Sequence, residues 1–272
     1  MRLILKAMAI GSAALMRLAG VAGAAVPPEE MVLTCPVDSV LSGTSCMDKY
    51  EASVWRVPNS TTTNRALATA IQSGTATAAA LRAAGATLLG LAPGDYAPCA
   101  ASGQNCADDI YAASLPGVMP SGWITWFQAQ QACKNSRKRL PTNAEWQAAA
   151  AGSPDPGSDN GTTDCNTNST LATSLTGSRR NCVSARGAFD MVGNLAEWVA
   201  EWVPRSTTCG TWSSGVTLDD LQCLAGAATT GEPGVLLRGG PWFDATAAGP
   251  FIMIATLGPS TTDIAYGFRC AR

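Results

Sequence analysis

Hydrophobic and polar positions alternate along residues 197–202. Trp198, Ala200 and Trp202 fall on one side, and Glu197, Val199 and Glu201 on the other. Period two predicts a half-buried strand, although tryptophans four apart would also stack on one face of a helix. Helical signals come earlier in the chain. Thr125-Trp126-Phe127-Gln128 and Thr142-Asn143-Ala144-Glu145 each read as a capping box, in which the hydroxyl accepts from the N3 amide and the Gln or Glu reaches back. The second box follows Pro141, and Gly152 is placed to stop its helix. Short helices are predicted near 64–72 and 76–84. They lie in an Ala-, Thr-, Ser- and Gly-rich stretch that reads as an insertion at about 60–115, with a cysteine-closed loop at 99–106. Residues 153–186 form a long polar loop, and short strands with long loops are expected from 187 onward.

The first 24 residues have the pattern of an export signal. Arg2 and Lys6 precede an apolar run, and Ala22-Gly23-Ala24 offers a small-x-small cleavage site. The competing reading is a buried N-terminal helix, and Arg17 within the apolar region speaks for it. The run is too short and too interrupted to span a bilayer, and no later segment is a transmembrane candidate. Residues 25–272 then form the mature domain, and a periplasmic, secreted or cell-surface location is expected.

Composition narrows the function. The chain has 272 residues, 14% of them charged, and a net charge of −2. That suits one large domain, or one domain with an insertion, and excludes a nucleic-acid binder. Histidine is absent, which excludes a Ser-His-Asp triad, a His-ligated metal and a histidine base. Ten cysteines in an exported chain imply disulfides. Short separations favour Cys35 with Cys46, Cys99 with Cys106, Cys165 with Cys182, and Cys209 with Cys223, but sequence alone does not set connectivity. A zinc site is the rival reading, and no C-x2-C pair supports it.

Four segments, in order, carry a family resemblance. They are Lys138-Arg139-Leu140-Pro141-Thr142-Asn143-Ala144-Glu145-Trp146, Gly187-Ala188-Phe189-Asp190-Met191-Val192-Gly193-Asn194-Leu195-Ala196-Glu197-Trp198, Arg238-Gly239-Gly240-Pro241-Trp242, and Tyr266-Gly267-Phe268-Arg269-Cys270-Ala271-Arg272. Together they resemble the formylglycine-generating enzyme (sulfatase-modifying factor) family over roughly residues 31–272. The resemblance implies an α+β fold of the C-type-lectin-like kind, with little regular secondary structure and long disulfide-closed loops. It implies a first strand through Met47-Asp48-Lys49-Tyr50-Glu51-Ala52-Ser53-Val54-Trp55, and a disulfide between Cys133 and Cys270. It also implies a structural calcium ion at residues 193–198, with Asn194 and Glu197 giving side-chain oxygens of the type calcium takes. Asn166 lies where similar enzymes have a second calcium loop. The alternative is that Asn194 caps a turn and Glu197 forms a salt bridge. For the Arg139 segment the expected role is structural: a helix cap, core packing by Leu140 and Trp146, and an ion pair for Arg139.

The catalytic part of the resemblance fails. Similar enzymes carry two copper-binding cysteines shortly after an Arg-Gly-Gly-Ser segment. Here the Ser position is Pro241 and the cysteine positions fall on Asp244 and Gly249, with no cysteine between Cys223 and Cys270. Without thiolates there is no soft-metal site and no nucleophile. The histidines of related iron-dependent sulfoxide synthases are missing too. No enzymatic activity and no catalytic cofactor are therefore expected.

Residues 243–266 contain no Lys, Arg, Glu, Gln or Trp. They mix apolar and small polar residues without strand periodicity, between flanks that read as scaffold. This resembles the variable proteins of diversity-generating retroelements, in which adenine-directed mutagenesis rewrites a lectin-like C-terminal region. Codons such as AAC, randomised at their adenines, reach every residue type in the stretch except Met253. A ligand-binding surface is expected at Phe243, Asp244, Ile254, Thr256, Leu257, Asp263, Ile264 and Tyr266, for a protein, glycan or small-molecule ligand. An active oxidase and a structural envelope component are the alternatives.

Overall fold

The computed structural model describes residues 34–155, 159–211 and 219–272. The export segment, 1–24, lies outside them. The chain opens with a hairpin of β1 (Ser39–Ser42) and β2 (Ser45–Asp48). A three-stranded antiparallel sheet follows, ordered β4 (Thr87–Leu89), β3 (Ala52–Arg56), β5 (Ile110–Ser114). Two helices, α1 (Arg65–Gln72) and α2 (Ala78–Ala83), lie between β3 and β4. The stretch at 60–115 thus builds a core of its own, with Ile71, Leu81 and Tyr111 packed around Trp55.

The continuous first strand implied by the family resemblance is broken. β2 ends at Asp48 and β3 begins at Ala52. Both acidic residues beside the break turn inward. Asp48 is fully buried against Lys138 at 2.7 Å, and Glu51 accepts from the Leu195 amide at 2.9 Å. A buried carboxylate needs such partners, and the backbone bends to reach them.

Helices α3 (Trp126–Asn135) and α4 (Asn143–Ala150) start where their capping boxes place them, with both reciprocal bonds formed in each. Gly152 adopts a left-handed φ of +78° just past the end of α4. Glu145 both caps α4 and pairs with Arg139 at 2.6 Å. Thr142→Ala should cost about 1 kcal/mol. A urea titration should show a lower midpoint with an unchanged slope.

The second half of the chain forms an open six-stranded sheet. Its order is β11 (Tyr266–Phe268), β6 (Ala196–Val203), β9 (Gly234–Arg238), β10 (Met253–Ile254), β8 (Leu221–Ala225), β7 (Thr208–Thr211). The period-two pattern is a strand: Trp198 packs with α3 residues on one face, and Val199 packs with Trp146 of α4 on the other. The architecture is α+β with little regular structure. Five disulfides tie it together, Cys133–Cys270 among them, and the other four join the near neighbours.

Candidate functional site

Residues 243–266 connect β9 to β11 by way of β10, and scaffold residues hold their backbone at many points. Trp242 donates to the Asn194 carbonyl at 3.0 Å, and Ala245 to that of Thr167 at 3.0 Å. Within the stretch, the carbonyls of Leu257, Pro259, Asp263 and Ala265 accept from Val235, Trp126, Trp123 and Ala196 at 2.8–3.0 Å. Buried Arg238, stacked over Trp146 with 4.6 Å to the ring centre, donates to the carbonyls of Pro250 and Ile252. A variable sequence can be presented here because scaffold groups supply much of the order.

None of the eight expected binding residues is fully buried. Phe243 is 49% exposed and Ile264 42%. Asp244, Ile254, Thr256, Leu257, Asp263 and Tyr266 are half-buried. The rest of the stretch does not face solvent throughout. Ala248, Ile252, Ala255 and Ala265 are completely buried, and Ile254, Leu257 and Tyr266 lean on the core cluster around Trp198. The reason is that β10 is a middle strand of the sheet, so residues on either side of it must pack.

The exposed part carries Phe243 and Ile264, and the acids and the tyrosine of the stretch, Asp244, Asp263 and Tyr266, are half-buried. Burial pushes the Asp244 carboxyl up to about 6. Burial also raises the Tyr266 hydroxyl, with further contributions from Asp263 and then Asp244. Backbone pairing agrees with this convergence: Trp242 binds at Asn194, while Tyr266 pairs with Ala196 two residues on. Beside this face stands an aromatic ledge that the sequence reading passed over. Trp126, Phe127 and Trp202 meet edge to face at 5.2–5.7 Å, with Trp202 46% exposed. The signal was present in the period-two strand, which carries Trp202 onto the same side as Trp198.

The family's catalytic positions are filled by other chemistry. All ten cysteines are in disulfides, so no thiol is available. Asp244 precedes a single 3-10 turn, Ala245–Ala247. Gly249 is closed in by the Asp220 carboxylate, which occupies the place where a side chain at 249 would begin. These residues do not fit a copper ion held by thiolates.

Asn194 and Glu197 do not fit a calcium ion either. Both Glu197 oxygens accept from fully buried Arg269, at 2.6–3.0 Å, and one also accepts from the Trp146 indole at 2.7 Å. The Asn194 oxygen accepts from Ser174 N–H at 2.7 Å and from Asn166 at 3.1 Å, while its amide donates to Glu51. A cation there would face a buried guanidinium and displace these donors. The implied calcium ligands are instead an ion pair and a loop clamp. Asn166 also spends its side chain within the loop, donating to Ala172 O and accepting from Thr170. Among the described residues no group of three or more Asp, Glu, Cys or His could hold a metal ion, and no helix is long and apolar enough to cross a membrane.

A profile of the sulfatase-modifying factor enzyme 1-like domain matches residues 56–272. No curated protein matches the chain in sequence. Among solved structures, the Major Tropism Determinant P3c variant is similar at 23% identity and a TM-score of 0.39, over 54% of this chain and 37% of that one. The chain thus spans little more than a third of that protein's length. Treponema denticola variable protein 1 is similar at 20% identity and a TM-score of 0.36, over 57% of this chain and 71% of that one. PvdO from Pseudomonas aeruginosa is similar at 19% identity and a TM-score of 0.35, over 84% and 80%.

Proposed function

The chain belongs to the sulfatase-modifying factor enzyme 1-like domain family, and we propose that it is an exported, non-catalytic ligand-binding member of that family. The observation that carries this reading is the replacement of the reacting groups by a presented surface. The two catalytic positions are Asp244 and Gly249, every cysteine is in a disulfide, and the stretch around them exposes Phe243 and Ile264 beside half-buried Asp244, Asp263 and Tyr266. Exposed apolar and aromatic residues grouped on a rigid scaffold favour association. The ligand is a protein, glycan or small molecule that combines an apolar surface with groups complementary to carboxylates.

Two measurements test this. The purified protein, with or without copper, should not convert a cysteine-containing sulfatase peptide to formylglycine. Aldehyde above a no-enzyme control would overturn the non-catalytic reading. The second compares the wild type with a Phe243→Ser, Ile264→Ser variant on glycan arrays and immobilised surface proteins. Both positions are exposed, so stability should stay within about 1 kcal/mol while wild-type binding is lost. Binding that survives in the folded variant would place the ligand elsewhere. Sequencing the gene's surroundings addresses diversification: a near-repeat of the 3′ end beside a reverse transcriptase is the expected arrangement if this stretch is rewritten.

A further inference from the structure

A polar cleft opens between α1 and the end of α3, and no residue of the presented stretch lines it. Its volume is about 410 Å³, within the roughly 300–1,000 Å³ of small-molecule sites. Arg65 and Thr69 line it from α1, Ser60 and Thr61 from the loop before that helix, Asp108 from the loop before β5, and Arg137 from the turn after α3. Buried Ala68 and Tyr111 also contribute to the lining. The walls are fixed to one another. Gln72, the last residue of α1, donates to the Asn135 carbonyl at 2.9 Å, and Ser60 donates to that of Asp108 at 2.7 Å. Two cations in the cleft are without partners: neither the Arg65 nor the Arg137 guanidinium forms a hydrogen bond or ion pair with a described residue. Asp109, beside Asp108 in the chain, is taken by Arg56 at 2.9 Å.

Arg137 holds a left-handed φ of +56°. It sits one residue past the Ser136 cap of α3, where the Lys138 N–H closes onto the Cys133 carbonyl at 2.9 Å. Glycine is the residue this position favours, since a Cβ is crowded there. The helix end does not need the charge, because Lys134 already supplies one in the last turn. A side chain kept against backbone strain on the wall of a cavity points to a use within that cavity. Two arginines against one aspartate leave the lining with one positive charge. Arginine takes a carboxylate through two parallel hydrogen bonds, while a carboxylate and threonine hydroxyls suit the hydroxyls of a ligand. We propose that the cleft binds an acidic sugar, a monocarboxylate of the uronic-acid type, with its acid group on Arg65 and Arg137 and its hydroxyls on Asp108, Thr61 and Thr69. Asp108 opposes a second negative charge, so a doubly charged oxyanion fits less well. The site is separate from the presented surface and does not rest on that surface's function.

The test titrates the full purified chain by calorimetry at pH 7.5 with D-glucuronate, D-galacturonate and N-acetylneuraminate, with D-glucose, acetate and inorganic sulfate as parallel arms. At least one acidic sugar should bind saturably, and roughly tenfold or more tighter than glucose or acetate, each of which lacks one of the two sets of contacts. Arg65→Gln should weaken that binding by roughly tenfold or more, the effect of losing one charge-assisted pair. Arg137→Gly should weaken it similarly while leaving the Tm undiminished, since glycine takes the left-handed turn without strain. The Phe243→Ser, Ile264→Ser variant should bind the sugar as the wild type does. The proposal is overturned if none of the three acidic sugars binds saturably, if glucose, acetate or sulfate binds as tightly, or if binding persists unchanged in either folded arginine variant. It is equally overturned if the Phe243→Ser, Ile264→Ser variant loses the sugar, since that would place it on the presented surface.

Discussion

Arg269→Met should cost about 3–5 kcal/mol at pH 8, the usual penalty for leaving a buried charge without its partner. Arg269 is completely enclosed. It binds both Glu197 oxygens and donates to the carbonyls of Asp48 at 3.1 Å and Phe189 at 2.9 Å. Two further buried carboxyls, Glu51 and Asp190, feel its charge. Burial holds Glu51 well above the ordinary range, and Asp190 is pushed up to about 7. An acid raised in this way binds its proton more tightly in the folded state than in the unfolded chain, where its pKa is near 4. Its contribution is present at low pH and is lost as pH rises from about 4 through 7.

Removing the guanidinium pushes these acids further up, so the deficit of the variant should be largest at pH 8 and shrink towards pH 5. Denaturant titrations at both pH values provide the check. An equal deficit at pH 5 and pH 8 would mean that lost packing, not charge, explains the effect. Arg269→Lys should recover part of the loss at pH 8, since it restores charge without the two-pronged geometry.

Removal of the Cys133–Cys270 bridge should have the second large effect. The bridge spans 137 residues, and the loop-entropy relation gives roughly 5 kcal/mol for a closed loop of that length. The same relation gives about 2.4 kcal/mol for Cys99–Cys106, separated by 7 residues. Cys133→Ala with Cys270→Ala should therefore lower the denaturation midpoint clearly more than Cys99→Ala with Cys106→Ala. Cys133 and Cys270 are completely buried, so lost packing adds to the entropic loss. The bridge ties α3 to the segment just past β11, an edge strand of the large sheet paired in parallel with β6. Non-reducing peptide mapping should recover the 133–270 pair with no free thiol. Equal losses from the two double variants would show that loop length does not govern stability here.

Some of this structure is written locally in the chain, and some is not. The helix starts at Thr125 and Thr142 need only four consecutive residues each, so sequence determines them. The period-two pattern at 196–203 is local too, and short separations favoured the four near-neighbour disulfides without setting their connectivity. The replacement of thiolate positions by Asp244 and Gly249 was legible from the segment around Arg238. What the sequence left open depends on residues far apart. Glu197 could read as a calcium ligand until Arg269, 72 residues later, was seen to take both of its oxygens. The break between β2 and β3 follows from Glu51 reaching Asn194 and Leu195, more than 140 residues away. The presented stretch could read as wholly surface until β10 took its place inside the sheet. A cap or a periodic face is satisfied by neighbours within a turn or two of chain. A buried charge takes its partner from whatever the fold packs against it, and that is settled only when the chain has closed.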